Sequence, residues 1–194
     1  MKKLLTAFFI LQISLISFAQ TDSQHLSFKG VPIDGTLDEY VQTMKQKGFD
    51  YIGTEEGIAI LTGDFTAYKG CTLYVATLKQ KDLVSKITVI SPNCETWTTL
   101  ANNYFSLKEM LTEKYGKPAD VTEKFRSYSE PRDDNDRMYN VKMDRCKYVT
   151  TFETPKGDIQ LSIGHNSVMS CYVLLSYFDK INGDVIRAKA MEDL

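Results

Sequence analysis

Two stretches of the chain, EYVQTMKQKGFDYIG at 39–53 and EMLTEKYGKPADV at 109–121, carry the same instruction: an amphipathic run, a stop at Gly, then extended chain. A helix that buries one stripe needs a sheet to bury it on, and a pattern written twice predicts two copies of one helix-plus-sheet unit. The segment 36–47 reads as the first helix. Thr36 and Glu39 have capping-box spacing, Leu37, Tyr40, Val41 and Met44 form the stripe, and Gly48 followed by Phe49 suits a left-handed C-terminal cap. The second helix is expected at 95–115, with Trp97, Leu100, Tyr104, Leu107 and Leu111 on one face and Gly116 and Pro118 ending it.

Strand patterns follow each helix. After the first come 49–53, 58–66, CTLYVATL at 71–78 and LVSKITVI at 83–90; after the second come 119–126, 141–153, 157–164 and 168–178. FTAYKGCTLYV at 65 matches FETPKGDIQLSI at 152 in its Phe, its Lys-Gly turn and its alternating apolar residues, and LVSKITVIS at 83 matches VMSCYVLLS at 168. Gly48 and Gly116 lie 68 residues apart but Lys69 and Lys156 lie 87 apart, so the second copy holds an insert, RSYSEPRDDNDRMYN at 126–140. Most of its residues are charged, Pro or Asn, which predicts an exposed, mobile excursion. The expected fold is α+β: two αββββ repeats, 20–91 and 92–194, in one antiparallel sheet of about eight strands with both helices on one face.

Lys2 and Lys3 precede an apolar run from Leu4 to Ile16 and a small-residue site at Ser17 and Ala19, the pattern of a signal peptide over 1–19. Export to the periplasm or medium is therefore expected. The run is shorter than the ~20 residues that span a bilayer, and no second one follows, so the mature chain is expected to have no membrane span. Without Lys2 and Lys3 it holds 21 basic and 25 acidic residues. A mildly acidic chain with no basic stripe is a poor partner for nucleic acid.

At the level of topology this reading resembles the tandem-repeat β-lactamase inhibitor proteins, whose repeats set a helical segment before a four-stranded sheet. In that family the concave sheet face grips a protein, but none of its inhibitory residues maps onto this chain, so the resemblance implies a fold and no function. FKGVPIDGTLDEY, YKGCTLYV and LKEMLTEKYGKP are similar to segments of small secreted proteins of Bacteroides-type bacteria, a resemblance that covers most of the mature chain and implies no activity.

Few residues suggest catalysis. The two histidines are His25, in a tail expected to be flexible, and His165, in the turn GHNS. A Cys171–His165 dyad would need a reactive thiolate, whereas Cys171 lies in an apolar strand where a thiol is inert. Asp133, Asp134 and Asp136 lack the Gly and closing Glu of a calcium loop and read as a solvated loop tip. Glu55 and Glu56 read as a hairpin turn. No phosphate loop, nucleophile elbow or HExxH is present, and no metal or cofactor is expected.

Surface is what remains. If Ile159, Leu161 and Ile163 face the helices, then Asp158, Gln160 and Ser162 line the other face, as do Thr72, Tyr74 and Ala76, with Tyr172 beside them. Tyrosines on an open sheet are efficient binding anchors. The expected function is a secreted or periplasmic non-catalytic module that binds an unknown protein or envelope ligand through Tyr74, Gln160 and Tyr172, aided by Arg132 and Asp134 of the insert. The alternative is a cell-envelope hydrolase whose carboxylates are assembled by folding.

Of the four cysteines, Cys71 and Cys94 are the expected disulfide, because the bend after the 72–90 hairpin could return Cys94 to Cys71. Such a bridge would stabilise by about 3 kcal/mol. Cys146 and Cys171 flank the strand 157–164, and two strand spacings of ~9.6 Å exceed the ~7 Å limit for bridged Cα atoms. They are expected to stay separate thiols.

Overall fold

A computed structural model describes residues 24–78, 82–126, 130–166 and 170–192. The expected signal peptide, the hairpin turn at 80–81 and residues 127–129 of the insert lie outside them. The described chain opens with a small hairpin, β1 (Ser27–Phe28) and β2 (Val31–Pro32), and continues through α1 (Leu37–Gln46), β3 (Phe49–Glu55), β4 (Ile58–Phe65), β5 (Tyr68–Leu78) and β6 (Leu83–Ile90). The second half runs α2 (Trp97–Tyr115), β7 (Asp120–Phe125), α3 (Asp134–Lys142), β8 (Cys146–Thr154), β9 (Gly157–Asn166), β10 (Ser170–Asp179) and α4 (Lys180–Glu192).

The long strands form one antiparallel sheet in the order β3-β4-β5-β6-β10-β9-β8-β7. Helices α1 and α2 therefore each precede a four-strand meander, and the two meanders meet on their last strands. Alternation along each strand puts Leu61, Leu73, Val89, Leu175 and Leu161 opposite one another in one row, and Ala59, Val75, Ile87, Tyr177 and Ile159 in the next. Both rows are buried beneath α1 and α2, so the two helices share a face, as the sequence implies. Each fully buried Leu or Ile in these rows contributes about 1.5–3 kcal/mol relative to exposure.

The β1–β2 hairpin, α3 and α4 were not legible in the periodicity. The tail expected to be flexible is the β1–β2 hairpin, and its Phe28 is buried against Phe49, Phe65 and Tyr177. It is fastened by polar groups: Asp179 accepts from the Leu26 amide at 2.7 Å and from His25 Nδ1 at 3.0 Å, while the Asn182 amide donates to the carbonyls of Ile33 and Val84. Asp179 also caps α4, accepting from the Asn182 amide N–H at 2.9 Å. The insert expected to be a mobile excursion contains α3, whose Met138 and Val141 are buried in the common core. Residues 141–145, read as strand, instead finish that helix and turn into β8.

Candidate functional site

The face of the sheet opposite the helices is a mixed apolar and hydroxyl surface. One row across it reads Ile60, Tyr74, Thr88, Ser176, Gln160 and Thr151, each the register partner of the next. A second row, one step along the strands, reads Thr62, Thr72, Ile90, Leu174, Ser162 and Val149. Tyr172 stands at the next step on β10, opposite Gly164. All these residues but Ser176 are partly exposed. The buried apolar residues of α1, α2 and α3 pack on the other face.

Local structure sets the aromatic groups in place. Gly164 leaves room for its neighbours: a Cβ there would lie 2.5 Å from Leu174 Cδ1 and 3.2 Å from Tyr172 Cε2, and those side-chain ends would have to shift. The ring of Tyr172 therefore folds down over β9. Burial raises the Tyr172 phenol above its ordinary pKa, and the neighbouring Tyr74 adds to the shift, so the Tyr172 hydroxyl stays protonated across the physiological range. Mid-face, the Thr88 and Ser176 hydroxyls satisfy each other at 3.0 Å. Thus the centre of the face is internally paired, and Gln160, Tyr74 and Tyr172 present the larger groups around it. Further along, Lys86 Nζ stands 4.9 Å over the Phe178 ring.

Arg132 and Asp134 are not part of this surface. Asp134 is committed to the start of α2, where its carboxylate accepts from the Trp97 amide at 2.9 Å and from the Thr98 amide and hydroxyl at 2.8 and 2.7 Å. The Thr98 hydroxyl, ahead of the two amides, holds its pKa below the usual carboxylate range. Arg132 pairs with Asp136 at 3.2 Å. The insert thus sits on the helical side, because the buried pair Met138 and Val141 draws it into the core and Asp134 ties it to α2. Asp133 and Asp136 are likewise structural: Asp133 caps α3 through the Asp136 amide.

The expected Cys71–Cys94 disulfide is absent, and all four cysteines are free thiols. After Ile90 the chain does not bend back over β5. It continues beside β10, with Ser91 N–H donating to Val173 O at 2.9 Å and Cys94 N–H to Cys171 O at 2.7 Å. Cys94 therefore lies on the β10 side of β6, whereas Cys71 pairs with Gly63 on the β4 side of β5 and points its thiol at Tyr68 O. Burial pushes all four thiols up, Cys146 to about 12 with a further push from Cys171. Cys171 and His165 are direct register partners, and His165 Nε2 lies 2.9 Å from Asp144. With the Cys171 side chain fully buried and its thiolate disfavoured, the arrangement resists nucleophilic use.

Carboxylates do converge at one place that the sequence did not single out. Glu153 and Asp158 are register partners across β8 and β9, and with Asp184 of α4 they line a hollow of about 400 Å³. Lys180 shares it. Among the described residues no group of three or more His, Cys, Asp or Glu is arranged to hold a metal. No described helix is long and apolar enough to cross a membrane. No protein-family model, curated protein or solved structure matches the chain.

Proposed function

We propose that the protein is an exported, non-catalytic binding module that grips a protein partner with the uncovered sheet face. The observation that carries this reading is the cluster of Tyr74, Tyr172, Ile90 and Leu174 on a sheet face from which α1, α2 and α3 are turned away. Aromatic rings with a hydroxyl, set around the mutually satisfied Thr88–Ser176 pair, supply apolar contact area at little desolvation cost. The two-copy motif in the sequence, together with the mirrored strand order, supports descent of this face from two αββββ units. Export rests on Lys2, Lys3 and the apolar run after them.

The test is capture from envelope and medium fractions with the wild-type chain and with Y74A/Y172A. A partner held by the wild type and by Arg132→Ala but lost by the double variant, at an unchanged melting midpoint, supports the reading. A partner that the double variant retains sinks it. Gly164→Ala offers a gentler probe, since its new methyl displaces Tyr172 and Leu174 with little cost to the core.

The alternative, a hydrolase with carboxylates gathered by folding, would use Glu153 and Asp158 in their shared hollow. It requires a turnover that Asp158→Asn abolishes.

A further inference from the structure

The helical side of the molecule holds an opening that the proposed sheet-face partner does not use. Between the β1–β2 hairpin and the second half of α2 lies a cavity of about 390 Å³, open to solvent. That volume falls within the range of small-molecule sites, roughly 300–1,000 Å³. Leu175 and Tyr177 of β10 form its floor, Leu107 and Leu111 one wall, and Phe65 the other. Met110, itself 41% exposed, stands at the lip.

Two cations flank this apolar space, Lys29 from the hairpin turn and Lys114 from the last turn of α2. Lys29 is held there by its backbone, whose φ of 48° reverses the chain into Gly30. Its ammonium donates to the Asp64 carbonyl at 3.2 Å and stands 4.9 Å over the Phe49 ring; that of Lys114 stands 4.9 Å over the Tyr115 ring. Neither ammonium has an ion-pair partner among the described residues, and none of the described residues lining the cavity is acidic. Behind the floor, Tyr40 has its hydroxyl buried without a hydrogen-bond partner, next to Tyr177.

A neutral apolar occupant would cover the apolar lining and leave the two ammonium groups at its rim without a counter-charge. A small anion would do the reverse. One occupant answers both conditions: an apolar tail with an anionic head. We propose that this cavity binds a single-chain fatty carboxylate, its tail against Leu107, Leu111 and Leu175 and its head between Lys29 and Lys114. The site is independent of the sheet face and stands whether or not that face binds a protein.

Calorimetric titration of the protein with dodecanoate below its micelle concentration tests this, with dodecanol and dodecyltrimethylammonium as matched probes. One dodecanoate is expected per chain, at least tenfold tighter than either of the other two. Lys29→Glu with Lys114→Glu should weaken dodecanoate at least tenfold and leave dodecanol unchanged, since both lysines lie at the surface and the fold does not need them. A second measurement, the dodecanoate-induced shift of the Leu107 and Leu111 methyl resonances in wild-type protein, locates the tail without any variant. The proposal is overturned by equal affinity for dodecanol and dodecanoate, by preference for the cationic probe, by absence of binding, or by binding that leaves those methyls unmoved.

Discussion

Helices α1 and α2 begin in the same way and are completed differently. At α1 the Thr36 hydroxyl accepts from the Glu39 amide at 3.3 Å and the Glu39 carboxylate accepts from the Thr36 amide at 3.2 Å, so most of the cap is written within four residues. Only the Leu37 amide looks further, to Asp82. At α2 the Thr96 hydroxyl serves the Thr99 amide, and the next two free amides go to Asp134, 36 and 37 residues along the chain. The exposed N–H groups of a helix start must be answered by something. In the first half that answer is local, and in the second it is supplied by the insert, which makes α3 part of the scaffold.

The largest expected effect tests whether the halves are separate at all. Met44→Ala under α1 and Leu100→Ala under α2 each remove a side chain with no exposure and should each cost about 2–5 kcal/mol. One shared unfolding transition is expected from both, by denaturant titration followed by circular dichroism; two resolved transitions would break the single core into independent halves. Next come the matched Lys-Gly turns. A Cβ on Gly157 would lie 2.0 Å from the Phe178 carbonyl, in a backbone with φ of 143°, while one on Gly70 meets nothing within 4 Å. Gly157→Ala should cost about 3 kcal/mol or more and Gly70→Ala about 1 kcal/mol, the strain of its left-handed conformation alone.

The caps come third. Thr36→Ala should cost about 1 kcal/mol. Asp134→Asn should lower the melting midpoint in a pH-dependent way. Because the folded Asp134 carboxyl titrates below its unfolded value of about 3.9, its contribution is complete above that pH and is lost as the pH falls through the folded pKa. The gap between wild type and variant should therefore close below about pH 4. Smaller still is Arg132→Ala, an exposed residue whose loss should change stability by no more than about 0.5 kcal/mol. The smallest effect is that of reductant: the melting midpoint should be the same with and without it, and a shift would revive a cysteine cross-link.

What could be read in advance follows the same division between local and distant partners. Helix α1, helix α2 and the strands were legible because stripe, cap and alternation are written in adjacent residues. Helix α3 was not, since Met138 and Val141 are the only apolar residues on its buried side and the surrounding charges mask them. The Asp133–Asp136 spacing was its one local signal. The hairpin offered Lys29-Gly30 between Phe28 and Val31, but its anchor is Asp179, some 150 residues away. The cysteine pairing failed for the same reason: it depends on which strand lies beside β6, and that neighbour is β10. On the candidate face the alternation placed Tyr74, Gln160 and Tyr172 correctly, while Asp134 was claimed by a helix start that the sequence does not connect to it.

The seam between β6 and β10 also sets the order in which the molecule can be finished. It pairs residues 86–90 with 174–178, and 79 residues separate the end of one strand from the start of the other. A chain that emerges from its N-terminus completes the first meander early and then holds β6 as a bare edge, with half a ladder of unmatched N–H and C=O groups, until almost everything else has been made. Pairings across such a distance form slowly, and an open edge invites other chains to add to it. The hairpin waits as well, because Asp179, its anchor, is the last residue of the last strand. Nothing about the first half becomes final until the second arrives, so a chain halted before β10 is a sticky intermediate, and one kept extended until its C-terminus is free escapes that hazard.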